Sequence, residues 1–190
     1  NTSLFDGRGN AVNQTIDNYG ADGTTLLDQQ RIRNEGFNSR GNAAKSTIET
    51  YSPNKNGNLE MDGKRVIKTS NYDARGNAVD QTIDNYGADG MTLLDQQKIH
   101  NQEFNSRGNA AKSTIETYSP DKSGKLVMDG KREISTSLFD ARGNAVDQTI
   151  DNFGADGKTL LAQQKIHNEG FNSRGNAAKS TIETYSPDKS

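Results

Sequence analysis

Polar and apolar residues alternate at period two along much of this chain. In Asn10–Asn18, Val12, Gln14 and Ile16 fall on one side and Ala11, Asn13, Thr15 and Asp17 on the other. That pattern, rich in β-branched residues, predicts a half-buried strand. Ala44, Ser46 and Ile48 repeat it. Leu59, Met61, Arg65 and Ile67 form a similar set on a return strand, with Glu60 and Lys64 opposite. No helical i, i+3, i+4 stripe of useful length occurs, so the predicted fold class is all-β.

Turn chemistry punctuates these strands. Asp6-Gly7-Arg8-Gly9 puts Asp first and Gly fourth, the preference of a type I turn closed by a left-handed Gly bulge. Asp22-Gly23, Asn56-Gly57 and Asp62-Gly63 read as further hairpin turns, and Pro53 falls where a missing N–H costs nothing. Strands joined by tight turns are antiparallel neighbours. The expected architecture is a tandem array of antiparallel hairpins, winding as an extended spiral sheet or solenoid-like rod.

The same elements recur at a fixed period. Thr2-Ser3-Leu4-Phe5-Asp6 returns as Thr69-Ser70-Asn71-Tyr72-Asp73 and Thr136-Ser137-Leu138-Phe139-Asp140, a 67-residue unit. Each unit holds two related halves, so Arg-Gly-Asn occurs six times. It begins at Arg8 (with Gly9 and Asn10), Arg40 (with Gly41), Arg75 (with Gly76), Arg107 (with Gly108), Arg142 (with Gly143) and Arg174 (with Gly175). Such self-similarity predicts a stacked array with units at 1–68, 69–135 and 136–190, the last truncated. The array starts and stops in mid-repeat, which predicts a segment of a longer protein.

Composition narrows the picture. Leu, Ile, Val and Phe make up about 17% of the 190 residues, so burial is expected to come from stacking between repeats. Cysteine is absent, which excludes disulfides and thiolate metal sites. No apolar run approaches a membrane-spanning helix. A net charge of −2 with both signs interspersed argues against a nucleic-acid partner or an anionic membrane surface.

The tracts Phe5-Asp6-Gly7-Arg8-Gly9-Asn10, Tyr72-Asp73-Ala74-Arg75-Gly76-Asn77 and Phe139-Asp140-Ala141-Arg142-Gly143-Asn144 resemble the YD (Rhs-type) repeat of bacterial surface and toxin proteins. In the second halves Asn38, Asn105 and Asn172 stand where that pattern has Asp, keeping a side-chain acceptor. The spacings, 32 and 35 residues, are longer than usual for that family. The resemblance implies hairpins wound into spiral sheets and an exported or cell-surface role. The family's toxin-processing module has no counterpart in this sequence.

Candidate chemistry is sparse. His100 and His167 are equivalent, and the first copy has Arg33 there, which reads as an exposed strand position. Glu49, Glu116 and Glu183 lack a second carboxylate at a recurring short spacing, and no nucleophile–base pairing survives comparison of the copies. No catalysis and no cofactor are expected. Calcium is the one alternative: Asp17, Asp22 and Asp28 surround a Gly turn as oxygen ligands would, and Asp84, Asp89, Asp95, Asp151 and Asp156 repeat the set. Against it, Ala162 replaces the third member in copy three, and a plain Asp-Gly turn explains the rest. The Asp121 to Asp129 loop is a weaker version.

Phe5, Phe37, Tyr72, Phe104, Phe139 and Phe171 precede the turns at one register, which predicts an internal aromatic ladder or, if exposed, a sugar-binding platform. Arg8 and its equivalents are expected to pair with carboxylates such as Asp17. Positions that differ between copies (Thr24/Met91/Lys158, Glu60/Val127, Val66/Glu133) predict a solvent-facing strip on short return strands. The expected role is a structural segment of an exported fibre, stalk or surface filament that self-associates. An adhesin that binds surface glycan, or the wall of a toxin-enclosing shell, is the alternative.

Overall fold

The computed structural model describes residues 1–187 and is all-β. Twelve strands follow one another: β1 (Thr2–Phe5), β2 (Ala11–Tyr19), β3 (Leu26–Phe37), β4 (Ala43–Pro53), β5 (Leu59–Tyr72), β6 (Ala78–Tyr86), β7 (Leu93–Phe104), β8 (Ala110–Pro120), β9 (Leu126–Phe139), β10 (Ala145–Phe153), β11 (Leu160–Glu169) and β12 (Lys179–Tyr185). They form one open sheet whose spatial order is the chain order. The predicted meander is therefore present, and every turn joins antiparallel neighbours.

The chain divides into two compact units that ignore the repeat boundaries. The first comprises Asn1–Asn71 with Gln81–Gln96, the second Tyr72–Asp80 with the described residues from Gln97 onward. In the first, Gln14 faces Ile32, Ile32 faces Ile48, and Ser46 faces Ile67. In the second, Ser113 faces Ile134, Ile134 faces Ile150, and Ile166 faces Ile182. Because successive side chains point to opposite faces, each unit has an isoleucine face and a second face that carries most of the charge.

Neither face hides a core. Val66, at 8% exposure, is the one buried hydrophobic side chain among the described residues, and none there is fully buried. The accessible surface is 11927 Å², against about 8,900 Å² for a compact monomer of this mass. Stacking between repeats is thus edgewise strand pairing rather than packing of faces.

Polar side-chain ladders take over where a core would act. Asn34 accepts from the Ser46 hydroxyl (2.6 Å) and donates to the Ala11 carbonyl (3.0 Å), so one amide ties β2, β3 and β4. Asn101 and Asn168 do the same with Ser113 and Ala78, and with Ser180 and Ala145. Such bonds are worth about 1 kcal/mol each, and they recur.

Several expectations are corrected by bulges. Asp62-Gly63 is not a hairpin turn: Gly63 faces Thr50 and Met61 faces Tyr51, which leaves Asp62 as an extra residue inside β5. Asp129 does the same in β9. An extra residue reverses the alternation beyond it. Met61 and Lys64 consequently share the charged face, while Arg65 and Ile67 lie on the other. Pro53 is the last residue of β4, opposite Leu59, rather than a turn residue. The return strands are the longest of the sheet at 14 residues, not short. Val66, expected in the solvent-facing strip, is the most buried apolar side chain, while Met91 (84%) and Val127 (47%) are exposed as expected.

Candidate functional site

One edge of the sheet is built from the Arg-Gly-Asn turns. Asp6 N–H donates to Asn10 O and Gly9 N–H to Asp6 O, the type I turn plus bulge read from the sequence. The Asp6 carboxylate accepts from the backbone N–H of Arg8 (2.9 Å) and Asn10 (2.8 Å) and from the Asn10 amide (2.9 Å). Asp73 and Asp140 repeat this set. The Asn10, Asn77 and Asn144 amides, first among these bonds, hold the three carboxyls below the usual carboxylate range. In the second halves Asn38, Asn105 and Asn172 keep the two backbone bonds through Oδ1.

These turns also bind one another. Arg8 Nη1 donates to Asn38 O (3.3 Å), Arg75 Nη1 to Asn105 O (3.1 Å) and Arg142 Nη1 to Asn172 O (3.3 Å), each reaching the next turn within its own unit. Arg107 Nη2 donates to Ala141 O at 2.6 Å, and the Asn109 amide to Gly143 O at 2.8 Å. The expected pairing of Arg8 with Asp17 does not occur: the guanidinium sits at the turn edge, where it adds a second bond to the Asn38 carbonyl that already accepts the Gly41 N–H. Gly41 is required twice over, by φ 82° and because a Cβ there would lie 2.5 Å from Asn10 Oδ1.

The acidic set proposed for calcium is placed on separate parts of the fold. Asp17, Asp84 and Asp151 lie on the charged face and accept from Gln29 (2.7 Å), Gln96 (2.7 Å) and Gln163 (2.8 Å). Asp84 is 3% exposed and also meets Lys68 Nζ at 3.1 Å. Asp28 and Asp95 lie on the isoleucine face, where they accept from Asn18 and Asn85, both at 2.7 Å. Asp22, Asp89 and Asp156 cap the intervening turns, taking the hydroxyls of Thr25, Thr92 and Thr159 and two backbone N–H groups each. Those bonds, the hydroxyl first, pull the three carboxyls down to about 2. Among the described residues no three acidic or His side chains gather as a metal cage.

The charged face carries a row of cations over aromatic rings. Arg31 lies 4.3 Å from the Tyr51 ring centre, Lys64 4.5 Å from Tyr86, Lys98 4.7 Å from Tyr118, Lys131 4.4 Å from Phe153 and Lys165 5.2 Å from Tyr185. Tyr51 and Tyr118 donate their hydroxyls to Glu49 and Glu116 at 2.8 and 2.7 Å. That bond, first among the causes, pushes Tyr118 up to about 12. The glutamates set aside as solitary are therefore members of this row.

His100 and His167 are not bare strand residues. Their Nδ1 atoms lie 2.5 Å from Asp80 and Asp147 on the neighbouring strand. His167 Nε2 also meets Glu169 at 3.2 Å, and Asp147, ahead of Glu169, raises its pKa above the ordinary value. A signal for this pair exists in the sequence: Asn13 becomes Asp80 and Asp147 in the same copies in which Arg33 becomes His100 and His167.

The aromatics that precede the turns do not form an internal ladder. Phe5 is 56% exposed, and Phe37, Phe104, Phe139 and Phe171 are half-buried, because no second layer covers them. No protein-family model matches the chain, and no curated protein matches it either.

Proposed function

We propose that this chain is a structural repeat segment of an exported bacterial fibre, stalk or surface filament, of the YD-repeat kind, and that its work is mechanical rather than catalytic. One observation carries this reading. Among the groups held constant across the copies, the edge Arg, the Asn–Ser rungs and the cation over ring make contacts to neighbouring strands and turns, while the turn Asp or Asn holds its own turn closed. Repeated identity is used on cohesion along the array, as a load-bearing or length-setting element requires. Electron microscopy of purified material with and without a calcium chelator tests it. Filaments that survive chelation are the expected result. Filaments that dissolve would make the aspartates ligands after all, and discrete particles in both conditions would contradict the fibre.

The exposure of Phe5 and the half-exposure of its counterparts favour one second reading, an adhesin whose ring row stacks on glycan. Titration with soluble oligosaccharides, followed by the fluorescence of Tyr72, the tyrosine of that row, separates the two. The fibre reading predicts no saturable change.

A further inference from the structure

Within each of the two units, the isoleucines lie on one face of the sheet. In the first unit Gln14 faces Ile32, Ile32 faces Ile48 and Ser46 faces Ile67, so alternation puts Ile16, Ile32, Ile48 and Ile67 together. Ile83 joins them, because its neighbours Gln81 and Asn85 bond Thr69 and Arg65 of that face. In the second unit the same reasoning collects Ile115, Ile134, Ile150, Ile166 and Ile182. Ile99 follows through Asn101, which bonds Ser113. Each strand from β2 to β12 thus contributes one isoleucine to the isoleucine face of its own unit. Thr, Gln, Asn and Ser fill most places between.

Charge is partitioned the other way. On the first three full strands the opposite face carries Asp17, Arg31, Arg33, Glu35, Lys45 and Glu49, whereas Asp28 is the charge on the isoleucine face between the turn-proximal ends. Further on, the isoleucine face also holds Glu60, Arg65, Asp95 and Arg132, each bonded along the sheet to an asparagine: Asn54, Asn85, Asn85 and Asn152. A sheet meant to have two wet faces has no reason to keep isoleucine and charge apart, since one-sided apolar patterning is the mark of a covered face. Yet Ile16 stays 44% and Ile182 58% exposed.

We propose that this face is covered by the isoleucine face of a second copy of the chain, so that two single layers close into a sandwich with the charged faces outward. The proposal rests on the fibre reading and names the surface through which such a fibre would thicken. Three features select a second copy as the occupant. From β8 to β12 the face carries one charge of each sign, Arg132 opposite Ile115 and Asp129 bonded to Ser119, and so needs no oppositely charged partner. Its isoleucines recur at the strand spacing of about 4.8 Å, so an identical comb matches its pitch and can interdigitate. Its extent suffices: β8 to β12 alone, at that spacing and about 30 Å long, cover about 700 Å² per copy, close to the ~800 Å² of a standard interface.

The absence of cysteine makes the test clean. Single-cysteine variants on the isoleucine face (Ile16→Cys, Ile182→Cys) and next to them on the charged face (Thr15→Cys, Thr181→Cys) would be treated with a short bis-maleimide, after circular dichroism has verified the sheet. The expected result is covalent dimer formed at least tenfold faster from the isoleucine-face variants. Equal rates, or faster coupling from Thr15→Cys and Thr181→Cys, would overturn the proposal. If no isoleucine-face dimer forms while filaments persist in the microscope, this interface fails and the fibre stands. If neither dimers nor filaments form, both fail.

Discussion

Glu103 is the one non-Gly residue among those described with positive φ (56°), at a position where the other copies have Gly36 and Gly170 (φ 68° and 67°). A side chain in that region costs about 1 kcal/mol or more, while the exposed Lys112–Glu103 ion pair returns less than that. Glu103→Gly is therefore expected to stabilise the chain by less than about 1 kcal/mol net, since the ion pair and the freedom of Gly in the unfolded chain offset part of the strain. The gain is read as a higher urea midpoint at unchanged slope. A lower midpoint would show that the ion pair outweighs the strain. At the turns, Asp140→Ala removes an acceptor of three bonds and should lower the midpoint, whereas Asp140→Asn, which imitates Asn38 and Asn172, should restore most of it. The turn geometry at Asp6 was legible in the sequence because Asp, Gly and their spacing set it locally. The partner of Arg8 was not, because it lies in another turn 30 residues away.

At the scale of strands and turns, ionisation gives two opposite pH trends. Asp22, Asp89 and Asp156 are pulled to about 2 from an ordinary 3.8, so the folded form favours their ionised state. Their contribution is present above about pH 4 and lost as the pH falls toward 2. His167 is raised, so its contribution is complete below its unfolded value near 6.5 and disappears as the pH rises through the higher folded one. Melting temperature against pH should therefore fall at the acid end and show a smaller decline as the pH rises beyond about 6.5. His167→Arg, which copies Arg33, should remove the second step and leave the first. Persistence of the neutral step would assign it to another group. Asn101→Ala breaks a three-strand tie and should cost about 1–2 kcal/mol by urea unfolding. The strands themselves were readable from alternation and turn residues. The bulges at Asp62 and Asp129 were not, because Asp-Gly is equally the signature of a hairpin, and only pairing across β4 and β8 decides between them.

For the whole molecule the central claim is that stability resides in contacts between adjacent strands, with no common core among the described residues. The low content of large apolar residues pointed that way, and the repeat predicted stacking. Alternation alone could not tell a face buried against a second layer from one left open, since both give the same pattern of residues. The repeat itself supplies the decisive measurement. Deleting residues 69–135 joins Lys68 to Thr136 and reproduces the natural junction of Lys68 with Thr69, leaving one whole 67-residue unit fewer. Urea unfolding of this shortened chain beside the full one compares slope and midpoint. The account predicts a cooperative transition with a slope reduced by about one third, in proportion to the strands lost, and a midpoint only modestly lower. A shortened chain that is unfolded without urea would contradict it, since stability would then depend on contacts that span the array.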